Sequence, residues 1–219
     1  MEIEPLPGPL RAEHYYTLII LVLAGLFDVV YREVDPLYWY LAGKAGFLLS
    51  LADAINMGIP PKVYMTLIAI SLAPALGAFL LYRLCLLGGS DVWALAFIAV
   101  SSPLPVTPYL PIPPSIAAAG LGGVVALVYY IFKLLSACGI PCLLRGSVKV
   151  SSRELVYSSF YRWWLPKASS GGSCTIEQSA PEVAASKGGY VEASPGIPLG
   201  AGIALGYAIY LVLTAFFRV

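Results

Sequence analysis

Six apolar stretches, cut apart by proline and glycine, set the terms on which this chain can fold. A helix needs about 20 mostly apolar residues to cross a bilayer. Residues 15–34, 37–56, 62–87, 115–137 and 197–217 meet or nearly meet that length, and one more stretch starts at Asp91 and fades into the prolines between Pro103 and Pro114. The first ends at Asp35-Pro36, the second at Gly58 and Pro60-Pro61, the third at Gly88-Gly89. Only 11% of the 219 residues are charged and 59% are hydrophobic, where a soluble domain carries about 25% charged residues. The mean hydropathy is +0.81. The expected fold class is an all-α polytopic membrane protein with six transmembrane helices. A net charge of +1 gives no ground for nucleic-acid binding. The first ten residues are acidic and proline-rich, unlike a cleaved secretory signal, so the first apolar stretch is expected to stay as a spanning helix.

Composition changes between the fifth and sixth stretches. Residues 139–195 hold Arg145, Lys149, Arg153, Arg162, Lys167 and Lys187, with serine and glycine clusters. Val148 and Val150 alternate with polar residues, a strand signal. Residues 154–165 form a short amphipathic, aromatic-rich segment, and residues 169–173 read as a loop. Tyr161, Trp163 and Trp164 suit an interfacial anchor. The chain thus divides into helices 1–5 over residues 1–138, a small, partly β cytoplasmic domain over 139–195, and helix 6 over 196–219.

Orientation follows from lysine and arginine in the connections, which favour the cytoplasm. Arg32, Arg83, Lys133 and the six basic residues of 139–195 fall on one side; Arg11, Lys62 and Arg218 fall on the other. The first side is expected to be cytoplasmic, with both termini outside. Lys44, within the second stretch, is expected to snorkel toward the cytoplasmic surface.

Two carboxylates stand out against this background. Asp28 lies inside the first stretch and Asp91 opens the fourth. An ionisable side chain at membrane depth costs roughly 3 kcal/mol or more and marks a functional site by default. The topology puts both on the cytoplasmic side, Asp28 near the end of helix 1 and Asp91 at the start of helix 4. Contact between these helices would let the carboxylates meet. A helix N-terminus favours negative charge and a C-terminus opposes it, so Asp91 is expected to be the ionised partner and Asp28 the protonated one. Two close carboxylates share one proton. That is the chemistry of an aspartic protease.

Gly25-Leu-Phe-Asp28, followed by Arg32 and the Asp35-Pro36 break, resembles the first motif of archaeal preflagellin peptidases and type IV prepilin peptidases. Gly88-Gly89-Ser90-Asp91 resembles their second motif, of the Gly-x-Gly-Asp type. Ser194-Pro-Gly-Ile-Pro198, with Gly202 to Tyr207, resembles the start of their last helix. Ser90 stands where the bacterial pattern has glycine, and the bacterial Cys-x-x-Cys pairs have no counterpart. The resemblance implies the archaeal type, without methylation. It further implies Asp28 and Asp91 as catalytic residues, with Gly25, Arg32, Gly88 and Gly89 supporting them. Its substrates would be archaellin or pilin precursors, cut after a short basic leader at the cytoplasmic membrane face, with no metal or organic cofactor.

Plainer readings exist for each residue. Asp91 suits an N-cap, and Asp28 an ion pair with Arg32 one turn on. The glycines suit packing or turns, and Arg32 a lipid phosphate. Asp53 is read as interfacial, about a bilayer thickness from the proposed site, Asp35 as the end of helix 1, and His14 as incidental. Cys138-Gly-Ile-Pro-Cys142 lacks zinc-ligand spacing, leaving a disulfide or apolar packing for the four cysteines. Asn56 and Gln178 are the only amides among 18 prolines, a composition that fits a hyperthermophile. The alternative function is a small proton-coupled transporter, in which intramembrane acids relay protons. It is disfavoured by the absence of a visible inverted repeat. A structural scaffold, its acids serving as caps and ion pairs, is the third reading.

Overall fold

The computed structural model describes residues 10–31, 34–83, 89–106, 111–145, 148–151, 164–166, 190–195 and 199–216. Arg32, Gly88, Cys85 and Cys174 lie outside them, as do Tyr161 and Trp163. The elements run α1 (Ala12–Tyr31), α2 (Pro36–Asn56), α3 (Pro61–Ser71), α4 (Ala73–Arg83), α5 (Gly89–Ser101), α6 (Pro114–Cys138), α7 (Ile140–Arg145), β1 (Val148–Ser151), β2 (Trp164–Pro166), β3 (Tyr190–Pro195) and α8 (Leu199–Phe216). Three helical rods among the described residues are long and apolar enough to cross a membrane: Pro61–Arg83, Pro114–Ala137 and Leu199–Phe216. The three described strands pair antiparallel in the order β1-β3-β2, with Val150 opposite Val191 and Leu165 opposite Ser194.

Local chemistry explains several helix ends. Asp35 caps α2, accepting the Leu37 N–H through Oδ1 at 2.7 Å, with Pro36 at the first helical position. Proline there suits a helix start, because its missing N–H would have no partner anyway. Asp35 therefore opens α2, a more specific role than ending α1. At the other end of α2, Gly58 takes φ 66°, Gly58 N donates to Ile55 O, and Ile59 N donates to Ala54 O, each at 3.0 Å. These are the paired bonds of a Schellman stop, which needs a left-handed residue that glycine adopts without strain. The α3–α4 rod breaks at Leu72, because Pro74 cannot donate to the carbonyl four residues back. Ser115 Oγ donates to Ser71 O at the break, at 2.7 Å.

Helix α5 is short and touches more of the other helices than any single neighbour does. It packs against α1, α2, α3, α4, α6 and α8. Its thirteen residues span about 20 Å at 1.5 Å each, short of the ~30 Å hydrocarbon core. The sequence suggests a fourth span that fades; the structure ends it as helix at Ser101 and continues it as an irregular segment through Val106, with Ser102, Leu104 and Val106 buried. Non-helical backbone is tolerated at membrane depth where protein encloses it.

Candidate active site

Three helix registers fix the depth of the two aspartates. Tyr38 Oη donates to Ile20 O and Tyr16 Oη to Ala42 O, at 2.9 and 3.0 Å, so α1 and α2 run antiparallel. Trp39 stacks near Phe97, ring centroids 5.5 Å apart, and Gly43 faces Val100, so α2 and α5 run parallel. Helix α1 is therefore antiparallel to α5. Thr17 Oγ1 donates to Ser101 Oγ at 3.0 Å and locks their far ends together. Asp28 is eleven residues beyond Thr17 on α1, and Asp91 is ten residues before Ser101 on α5. Both advance about 15–16 Å in the same direction, so the two carboxylates lie at one level, within about a helical turn.

Each aspartate also continues a buried face of its helix. Thr17, Leu21, Ala24 and Asp28 form one buried stripe of α1, and Asp91, Ala94, Leu95, Ile98 and Ser102 form one buried stripe of α5 and its continuation. These spacings keep a single helix face. Each aspartate stands at the end of the described part of its stripe, and each is only 7% exposed. Asp91 lies inside α5, after two helical residues, so it does not occupy the N-cap position. The ion pair proposed between Asp28 and Arg32 falls outside the described residues.

Helix α8 brings a third end to the same level. Gly200, in its first turn, faces the Asp28 carboxyl group, and Ala201 and Ala204 face Gly25 one turn earlier on α1. Asp28 is thus near the C-terminal end of its own helix yet against the N-terminal end of another. Asp91 occupies the first turn of α5. Both carboxylates meet the positive end of a helix dipole, and helix position no longer separates an ionised partner from a protonated one. Of the supporting glycines, Gly25 permits the close approach of α8, whereas Gly89 faces the Tyr82 ring at ordinary contact distance. Lys44 lays its Nζ 4.2 Å from the Tyr40 ring centroid, directing its charge one turn toward the aspartate end, as snorkelling requires.

A second polar cluster fills the opposite end and includes residues whose importance the sequence did not disclose. Glu13, His14 and Thr17 are fully buried. Arg11 Nη2 donates to Leu104 O at 3.0 Å and to Pro105 O at 2.8 Å, and lies 2.9 Å from His14 Nε2. Its Nε stands 2.9 Å from Glu13 Oε1. The guanidinium contact gives Nε2 the acceptor role, so Nδ1 carries the proton toward Ser102 Oγ at 2.7 Å. Tyr207 Oη donates to the same Ser102 hydroxyl at 3.1 Å. Asp53 joins through Oδ2, which accepts Glu13 N–H at 3.4 Å. That contact puts Asp53 fifteen residues along α1 from Asp28, about 22 Å away. His14 is therefore not incidental. It helps hold Arg11 against the Leu104 and Pro105 carbonyls of the irregular segment after α5.

Among the described residues, no group of three or more His, Cys, Asp or Glu side chains is placed to hold a metal ion. No family model, no curated protein and no solved structure matches the chain.

Proposed function

We propose that the protein is a multi-pass membrane aspartic endopeptidase that activates water with Asp28 and Asp91. The observation that carries this reading is that two buried carboxylates stand at one level on helices that pack together, each continuing a buried stripe. With one proton shared between them, the ionised carboxylate takes a proton from water as the water oxygen bonds to the scissile carbonyl carbon. The protonated carboxyl group hydrogen-bonds the carbonyl oxygen and stabilises its developing charge. Proton return to the amide nitrogen breaks the C–N bond and restores a singly protonated pair. The scissile segment must be extended, because a helix engages its carbonyls in its own hydrogen bonds.

The motif resemblance supplies the substrate class: preflagellin- or prepilin-like precursors whose short basic leader lies in the cytoplasm. The spans of this reading are α1, α2, the α3–α4 rod, α5 with its unwound continuation, α6 and α8. The aspartate end and the strands face the cytoplasm, and both termini lie outside. A transporter reading draws on the buried Glu13 and His14, since intramembrane acids and imidazoles relay protons. Leu21, Ala24, Leu95, Ile98 and Ile203 fill the helix stripes between that cluster and the aspartates. An apolar plug of this kind separates the two polar ends and favours hydrolysis at one end over relay between them.

The test is cleavage of a purified archaellin precursor by the protein in detergent, repeated with Asp28→Ala and Asp91→Ala. Cleavage at the leader junction by the wild type, and by neither variant, is the expected result. Activity surviving either substitution removes that aspartate from catalysis. A wild type inert across several detergents and pH values, but moving protons in liposomes, establishes the transporter instead.

A further inference from the structure

The close approach of α8 to Asp28 gives Gly200 a role that the two-aspartate reading does not include. A Cβ at Gly200 would stand 3.0 Å from Asp28 Oδ2, 3.2 Å from Cγ and 3.4 Å from Cβ. A Cβ at Gly25 would stand 3.3 Å from Ala201 Cα and 3.5 Å from Ala204 Cβ. The two helices interlock: the backbone of α8 sits in the notch at Gly25, and the carboxyl group of Asp28 sits in the notch at Gly200. The Gly25 contact sets how near α8 lies to α1, so the Asp28 side chain has the Gly200 backbone as a fixed wall on that side. We propose that Gly200 is a positioning residue: the notch it leaves in the first turn of α8 receives the Asp28 carboxyl group and fixes its orientation at the reacting centre. The proposal rests on the peptidase reading above.

Alanine at 200 is a narrow probe. Its methyl group stands tight against Oδ2 and Cγ of Asp28, so that carboxyl group must give by a few tenths of an ångström. In a helix interior, glycine to alanine otherwise favours folding. Gly120→Ala in α6, where nothing lies within 4 Å of the added Cβ, is the matched control. A misplacement of about 1 Å at a reacting group costs on the order of 10²-fold in rate. The displacement here is smaller, so Gly200→Ala is expected to lower kcat about tenfold with KM unchanged, and to displace the pH–rate profile, because the carboxyl pair is held differently. Gly120→Ala should leave kcat, KM and the profile as in the wild type. A Gly200→Ala enzyme with kcat within twofold of wild type and an unmoved profile overturns the proposal, as does a loss that appears only in KM.

A second readout needs no proteolysis. With Cys85, Cys138, Cys142 and Cys174 replaced by serine, cysteines at positions 28 and 91 are joined in membranes by bis-maleimides of graded length. Adding Gly200→Ala is expected to change which lengths react and how fast, by severalfold, while Gly120→Ala changes neither. An unchanged cross-linking profile overturns the positioning role even where activity falls. If the wild type cleaves no precursor, the peptidase reading fails on that assay, and the geometry of Gly200 is still decided by the cross-links.

Discussion

At residue scale, what distinguishes Asp28 and Asp91 is where they stand on their stripes. A carboxylate amid a buried apolar face destabilises the fold, and each of these stands at the end of the described part of its face. Asp28→Asn and Asp91→Asn keep the shape and remove the charge. Each is expected to leave the thermal unfolding midpoint in detergent unchanged or raised, while cleavage falls about 10³-fold, within the range for losing a general acid or base. A midpoint lowered as far as activity would make the aspartates structural. Both residues are legible in the sequence because a lone charge in an apolar stretch is costly whatever the fold. Gly200 is not legible. A glycine near the start of an apolar helix has many ordinary uses, and its partner Asp28 is 172 positions away in the sequence.

At element scale, the far polar cluster and the shortness of α5 explain each other. When a helix stops inside a bundle, the irregular backbone that follows carries polar groups that must find partners. Arg11 reaches two carbonyls of the segment after α5, and Tyr210 bridges Val106 N and Ile112 O at 3.4 and 2.9 Å. Glu13 and His14 balance and orient the guanidinium. Arg11→Met retains the apolar stem but removes these donors. Each buried group left unsatisfied costs about 1–3 kcal/mol, so a loss of about 2–5 kcal/mol is expected in SDS-titration unfolding. His14→Ala should cost about 1–3 kcal/mol on the same grounds. The cluster is about 22 Å from the aspartates, so kcat of the folded fraction should stay within about twofold of wild type; a larger fall would connect the two ends. The proline cluster made the weakening of the fourth stretch readable from sequence. The cluster that compensates for it was not, because Arg11, Asp53, Ser102 and Tyr207 come from four separated parts of the chain.

At the scale of the whole molecule, a helical frame holds α5 at its centre, and small residues set how closely that frame closes. Helices α6 and α8 cross at Gly122, where a Cβ would stand 2.8 Å from both Gly202 O and Ile203 Cα. Close helix approach at small residues drives association where lipid removes the hydrophobic incentive. Gly122→Val is therefore expected to lower the unfolding midpoint, by overpacking worth about 1–3 kcal/mol, and to loosen α8 from its place beside Asp28. The orientation of the frame decides which substrates can reach the site. The excess of lysine and arginine on the aspartate side predicts that this side is cytoplasmic, where a basic leader would be presented. Leu37 and Met57 lie at opposite ends of α2, and both are exposed, so single cysteines there, in a chain freed of its own four, report the two faces. A membrane-impermeant maleimide is expected to label position 57 in intact cells and position 37 only in inverted vesicles. The reverse pattern would put Asp28 and Asp91 at the outer face, out of reach of a cytoplasmic leader, and the precursor assignment would fall while the carboxylate pair itself stood.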